Sequence, residues 1–278
     1  MEKIKRTLVS IGVFVAVQLV VTIIFLIAGI VQGMDLATAA TQTMGMALLI
    51  SDFLVIVILL LLKYYRLKEL FKKVPVDVLL ISTVFALCGM FAVEMLSSTV
   101  EIPNTLAEQF EAMAGTVSGF LGICIVGPIM EEIIMRRVIL KEMAKVTKSM
   151  WWGIIISSAL FAIIHINPIQ VVFAMPAGIF LGWLYCKTGS LLVPICIHII
   201  NNTISFVTMS YGSGDEISLN STLGIILFLS FVIVSVGTGI WIVRYYNKAK
   251  EQQQIQQAEA EPVESTSTGT FQGDNYEK

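Results

Sequence analysis

The chain has little charge. Asp, Glu, Lys and Arg make up 14% of its 278 residues, whereas soluble domains carry about 25%, and its mean hydropathy is +0.84. This composition excludes an ordinary soluble domain, because most of the chain has too few polar groups to face water. The formal net charge of -2 gives no basic surplus, so we expect neither a nucleic-acid partner nor a strongly basic membrane-surface patch.

Cysteine spacings typical of zinc knuckles or disulfide frameworks are also lacking. All four cysteines lie in apolar runs, and no two have the C-x2-C spacing of a zinc knuckle. We therefore expect them to be inert packing residues. They are Cys88, Cys124, Cys186 and Cys196.

Long apolar runs fill most of the chain. A bilayer core about 30 Å thick requires roughly 20 apolar residues per helix, and counting such runs predicts an all-α, polytopic membrane helix bundle with about eight transmembrane helices. The lipid bilayer is then the main partner. The predicted helices are 8–32, 42–63, 76–97, 117–143, 150–166, 170–186, 190–209 and 222–246.

Basic residues fall at alternate ends of these predicted helices, as the positive-inside rule requires of cytoplasmic loops. We therefore predict a multi-pass protein of the cell membrane with both termini in the cytoplasm. The opposite ends carry acids, namely Glu101, Glu108, Glu111, Asp215 and Glu216.

Ionisable groups are rare inside membrane helices because burying them is costly, so their clustering indicates function. The two histidines of the chain, His165 and His198, both lie in predicted helices. Glu131 precedes Lys148 by seventeen residues and His165 follows it by seventeen, so an antiparallel hairpin brings them to the same depth. Asp52 and Glu94 have no such neighbours, and we interpret both as structural, with Glu94 snorkelling.

Helical spacing groups further polar side chains. Residues four apart share a helix face, which places Arg136 beside Glu132 as a neutralising pair. The same spacing places His198 and Asn202 together as two hydrogen-bond donors suited to an oxyanion. Gly178 and Gly182 form a G-x-x-x-G, which indicates close packing within the bundle rather than dimerisation.

Three motifs resemble the CPBP family, which includes the type II CAAX prenyl proteases and bacterial Abi-type membrane proteases associated with bacteriocin immunity. They are E-E-x-x-x-R from Glu131, F-x-x-x-H from Phe161 and H-x-x-x-N from His198, in this order on separate hydrophobic helices. The resemblance covers about residues 117–209. Arg137 stands where the family often has glycine, a departure that touches no catalytic position.

The resemblance implies an intramembrane endopeptidase that hydrolyses a peptide bond of a membrane-associated protein or peptide by glutamate- and histidine-activated water. The catalytic residues it implies are Glu131, Glu132, Arg136, His165, His198 and Asn202. Glu131 would be the general base and His165 would hold the water, while His198 and Asn202 would stabilise the oxyanion. Glu132 and Arg136 would brace the site, and Phe161 would pack against His165 or line the substrate groove.

Two alternatives stay open at this point. No cofactor is expected, but Glu131, His165 and His198 also form the ligand set of a catalytic zinc site. A non-catalytic bacteriocin-immunity or peptide-binding protein could use the same fold.

The resulting organisation has four parts. Residues 1–116 form N-terminal transmembrane helices, about three in number, and 117–209 form the protease-like core. Residues 210–246 hold the last transmembrane helix. Residues 247–278 are polar and low in complexity, and we predict a disordered cytoplasmic tail.

Overall fold

A computed structural model describes residues 2–70, 72–211 and 219–260, and these ranges contain helices, turns and coil but no strand. The all-α prediction is confirmed. The helices are α1 Glu2–Val31, α2 Leu36–Leu61, α3 Leu67–Leu70, α4 Val76–Ser97, α5 Ala107–Ala114, α6 Val117–Thr147, α7 Met150–Ile163, α8 Pro168–Thr188, α9 Leu192–Tyr211 and α10 Thr222–Ala260.

Local sequence signals set several helix ends. The side chain of Asp35 accepts a hydrogen bond from the Thr38 backbone N–H and so caps α2, and Ser149 caps α7 in the same way. Lys148 ends α6 in the left-handed conformation with φ 56°, and Gly189 ends α8 with φ 63°. The α6–α7 connection is consequently only two residues long, which makes these helices antiparallel neighbours.

Seven helices are long and apolar enough to span a membrane, within the described ranges. The chain is therefore a multi-pass membrane protein, as predicted, and seven of the eight predicted helices have this length. The exception is α7, which was predicted as 150–166 and has 14 residues. At 1.5 Å per residue it is roughly 21 Å long, because the chain turns at Ile164 to form the loop that carries His165.

Hydrogen bonds between loops fix the direction of the helices. The Ser190 hydroxyl donates to the Lys72 carbonyl oxygen at 2.6 Å, which joins the α8–α9 connection to the segment before α4. At the other end, the Ile169 N–H donates to the Pro103 carbonyl oxygen at 3.3 Å. We call the end with Lys72 and Ser190 the basic end and the end with Pro103 the far end. Although α7 is short, it returns the chain from the basic end to the far end.

The centre of the bundle is α6, whose buried side chains form the main core with α7 and α8. A Cβ at Gly178 would lie 2.8 Å from Ser158 Cβ, and one at Gly182 would lie 3.3 Å from Ile154. The predicted internal use of the G-x-x-x-G is thus confirmed, since both glycines let α8 approach α7 closely.

The last helix is longer than predicted. Helix α10 continues to Ala260, so the expectation of disorder from residue 247 is wrong for 247–260. Lys, Glu and Gln are good helix formers, and they extend a helix that is already nucleated in the apolar segment. Residues 261–278 lie outside the described residues, as do Asp215 and Glu216.

Candidate active site

The carboxylate pair lies on an unusual stretch of α6. Glu131 and Glu132 end the α-helical turn Gly127–Glu132, which is flanked by π-helical segments Leu121–Val126 and Ile133–Leu140. Such wide turns are rare and occur mainly at functional sites. They change which way the following side chains point, so the pair's surroundings do not follow from α-helical spacing alone.

Glu132 is fully buried and forms the ion pair expected from sequence. Its Oε2 lies 3.0 Å from Arg136 Nε, and both side chains are at most 1% exposed. The Arg136 guanidinium also lies 4.9 Å from the centroid of the Phe161 ring, a cation–π contact that ties α6 to α7. The pair therefore braces two of the helices that carry the site.

His198 of α9 contacts both glutamates. Its Nδ1 is 2.9 Å from Glu132 Oε1, and its Nε2 is 3.5 Å from Glu131 Oε2. A carboxylate on Nδ1 fixes the orientation of the ring. Sequence reasoning missed the contact between Glu132 and His198, because spacing within one helix does not report on contacts with another.

His165 lies just beyond the end of α7. Its Nδ1 donates to the Phe161 carbonyl oxygen at 2.7 Å, which leaves Nε2 as the acceptor of the neutral ring. The Phe161 ring packs edge-on against both imidazoles, with centroids 4.9 Å from His165 and 5.7 Å from His198. The two histidines, from different helices, are therefore arranged around one aromatic side chain.

The turn after His165 is strained. Ile166 has φ 60°, a conformation that is unusual for a β-branched residue. The Asn167 N–H then donates to the His165 carbonyl oxygen at 2.6 Å. Such outliers cluster at functional sites, where the surrounding structure holds them in place.

Asn202 lies one turn after His198, as its spacing predicts. Its Nδ2 donates to the Ile123 carbonyl oxygen at 3.0 Å, and its Oδ1 accepts from Asn201 Nδ2 at 3.3 Å. These contacts fix the carboxamide against the first π segment of α6. One of the two Nδ2 hydrogens is thereby engaged.

A cavity of about 300 Å³ joins most of the site. Phe161, His165, His198 and Asn202 line it together, and most of its other lining side chains are apolar. Glu131 is not among the lining residues but contacts His198, and its side chain is 19% exposed. Glu94 also lines the cavity, a location that its interpretation as a snorkelling residue did not anticipate.

The zinc alternative requires Glu131, His165 and His198 to converge. Within the described ranges, no three His, Cys, Asp or Glu side chains come close enough together to hold a metal ion. We derive no step through a metal.

Asp52 is a neighbour of the site that sequence reasoning set aside as structural. It is 2% exposed, and its Oδ1 accepts from Gln18 Nε2 at 2.6 Å. Its Oδ2 would lie 3.3 Å from a Cβ at Gly127, one helical turn before Glu131. This network joins α1 and α2 to the helix that carries the glutamates.

Comparison with known proteins matches the part of the chain that carries this site. Residues 113–204 match the family described as type II CAAX prenyl endopeptidase Rce1-like. A Bacillus subtilis (strain 168) protein named "Putative membrane peptidase YdiL" is 37% identical over 79 residues, which are 28% of this chain and 32% of that protein. No solved structure is significantly similar to the chain.

The matched segment contains α6, α7, α8 and most of α9, and with them all the residues of the three motifs. The resemblance to the CPBP family of membrane proteases is thus confirmed over residues 113–204. The chain spans about a third of the length of the curated relative that it matches.

Proposed function

We propose that the protein is an intramembrane endopeptidase that hydrolyses a peptide bond of a membrane-associated protein or peptide with glutamate- and histidine-activated water. The observation that carries the proposal is the convergence of both glutamates on His198 at the wall of a cavity that His165 also lines. The match of residues 113–204 to the type II CAAX prenyl endopeptidase family supports the same reaction class.

In this reaction Glu131 is the general base. Its side chain is partly exposed, so water reaches it, whereas the fully buried Glu132 is occupied by Arg136 and His198. His165 accepts a hydrogen bond from the same water through Nε2, since its Nδ1 is held by Phe161. The water oxygen attacks the carbonyl carbon, its proton passes to Glu131, and Glu131 then delivers that proton to the leaving amine.

The oxyanion is stabilised by Asn202 and His198. Asn202 donates the Nδ2 hydrogen that Ile123 does not engage, and His198 donates from Nε2. Because contacts with Glu132 and Ile123 orient both groups before the substrate binds, little reorganisation is needed in the transition state.

The test compares membrane and secreted peptides from cells that express the wild type, Glu131→Gln or Glu251→Gln at matched levels, by mass spectrometry. Glu251 is an exposed residue of α10, so its substitution controls for the loss of one carboxylate. We expect new peptide ends with the wild type and Glu251→Gln, and a decrease of about 10²–10⁴-fold with Glu131→Gln. Identical peptides in all three would instead support a non-catalytic immunity or peptide-binding protein.

Metal dependence is tested on the same cleavage. We expect activity to persist after exhaustive chelation, because the site residues do not form a three-ligand cluster in the part of the chain that the structure describes. Zinc that copurifies at about one ion per chain, together with activity lost on chelation and restored by zinc, would contradict this.

A further inference from the structure

The cavity beside the two histidines lies in one half of the bundle. Apart from the site residues themselves, most of its lining residues come from the last turns of α4 and α9, the first half of α8, α5 and the α4–α5 connection, all of which are near the far end. Representative residues are Glu94, Asn104, Phe110, Gln170, Ser205 and Met209. Glu94, Asn104 and Ser205 are exposed, so the cavity opens toward the far end.

The far end carries no Lys or Arg in the sequence. Segments 7–62, 74–135, 149–186 and 188–243 all lack both residues, and these contain every connection that reaches the far end. The connections at the basic end contain Lys63 and Lys72, and Lys187 lies in the last turn of α8 at the same end. Because Lys and Arg accumulate in cytoplasmic loops, the basic end faces the cytoplasm and the cavity faces the opposite side.

The lining also indicates what the cavity binds. Five of its side chains are carboxamides, and none is Lys or Arg. A carboxamide both donates and accepts hydrogen bonds, as a peptide group does, so these side chains suit the backbone of an extended segment. They are Asn104, Asn167, Gln170, Asn201 and Asn202.

Two of these carboxamides are held in place at the cavity mouth. Asn167 is 1% exposed, and its Nδ2 donates to Asn104 Oδ1 at 2.9 Å. Its Oδ1 accepts from the Thr105 N–H at 3.1 Å. The mouth is therefore a fixed polar frame above a mainly apolar interior.

We propose that the cavity takes an extended, apolar peptide segment from the extracytoplasmic face of the membrane, held through its backbone by the carboxamides. The proposal rests on the proposed function in treating this segment as the substrate. It indicates secreted peptides or the outward-facing segments of membrane proteins. A protein chain displayed at the cytoplasmic surface would meet the basic end instead.

Sidedness is tested with a membrane-impermeant maleimide on intact and permeabilised cells, using single cysteines in a background without the four native ones. Ser205→Cys reports the cavity and Lys68→Cys reports the basic end, since both positions are exposed. We expect at least tenfold more labelling of Ser205→Cys than of Lys68→Cys in intact cells, and equal labelling after permeabilisation. Labelling of Ser205→Cys only after permeabilisation would overturn the proposal.

A second variant gives the same information if the cysteine-free protein does not fold. Asn104→Cys at the cavity mouth is made in the native chain, and the labelling of the native chain is subtracted. Excess labelling in intact cells is expected, and excess labelling confined to permeabilised cells would again overturn the proposal.

The substrate class is tested by protection. An apolar hexapeptide added outside is expected to slow labelling of Ser205→Cys at least fivefold, whereas the same peptide with two Glu substitutions gives no protection. Equal protection by both peptides, or by neither, would contradict the proposed class. Labelling requires no catalysis, so this result is independent of whether the protein proves to be a protease.

Discussion

Helices α6 and α1 are both apolar enough to span a membrane, but they differ in their surroundings. Half of the most apolar stretch of α6 is buried inside the protein, whereas only 6% of the corresponding stretch of α1 is buried. Helix α10, at 11%, resembles α1. The charged groups of the site, Glu131, Glu132 and Arg136, all lie on the helix that the protein surrounds, because a protein interior can supply partners that lipid cannot.

The largest expected effect concerns the buried ion pair of α6. Arg136→Met leaves the Glu132 carboxylate buried without its cation, and we expect a loss of about 3–5 kcal/mol in the free energy of unfolding. Thermal unfolding in detergent measures it. Arg244→Met, at an exposed position of α10, should change stability by less than about 0.5 kcal/mol. Equal effects of the two substitutions would contradict the proposed difference between the buried helix α6 and the exposed helix α10.

Glycine substitutions sharpen the same comparison. A Cβ at Gly178 would lie 3.0 Å from the Ser158 backbone, whereas nothing lies within 4 Å of one at Gly237 in α10. We expect Gly178→Ala to destabilise by about 1–3 kcal/mol through overpacking. Gly237→Ala should stabilise by up to about 1 kcal/mol through helix propensity. Unfolding midpoints of the two variants measure both effects. If Gly178→Ala leaves the midpoint unchanged, α7 and α8 separate easily.

Gln18 lies on α1, which is mostly exposed, but its side chain donates a hydrogen bond to the buried Asp52. Gln18→Leu removes the donor to Asp52 Oδ1, which should cost about 1–3 kcal/mol. Adding Asp52→Leu to Gln18→Leu should restore most of that stability, because no carboxylate is then left unpaired and the Ser51 hydroxyl, which contacts Gln18 Oε1, keeps the Leu48 carbonyl oxygen. Gln32→Leu, at an exposed position, is the matched control. Additive losses in the double variant would contradict a direct interaction.

The smallest expected effect concerns the strained turn after His165. Asn adopts the left-handed conformation more readily than a β-branched residue, so Ile166→Asn should stabilise the protein by about 1 kcal/mol. Ile166→Val keeps the strain and should leave the unfolding midpoint unchanged. A stabilising Ile166→Val would show that the hydrophobicity of this 84% exposed residue, rather than its backbone, determines stability.

Much of the helical layout follows from the sequence alone. The predicted helix 76–97 coincides with Val76–Ser97, and the pairing of Glu132 with Arg136 follows from their spacing. Both features depend on local chain geometry and apolar length, which a single sequence reports directly.

Contacts between distant elements could not be predicted in this way. The contact between Glu132 and His198 depends on how α6 and α9 are rotated, and the π segments alter that rotation. The bond between Asn167 and Asn104 joins loops 63 residues apart. Such pairings arise from packing of the whole bundle, so periodicity carries no signal for them.

The π segments on both sides of the glutamates have a consequence for comparing related chains. An i→i+5 turn holds one more residue than an i→i+4 turn, so a relative that lacks one of these segments would reach the same end point with one residue fewer. Alignments of α6 should therefore place single-residue gaps within 121–126 or 133–140. An alignment forced to be gap-free there would pair Glu131 with the wrong position in the relative.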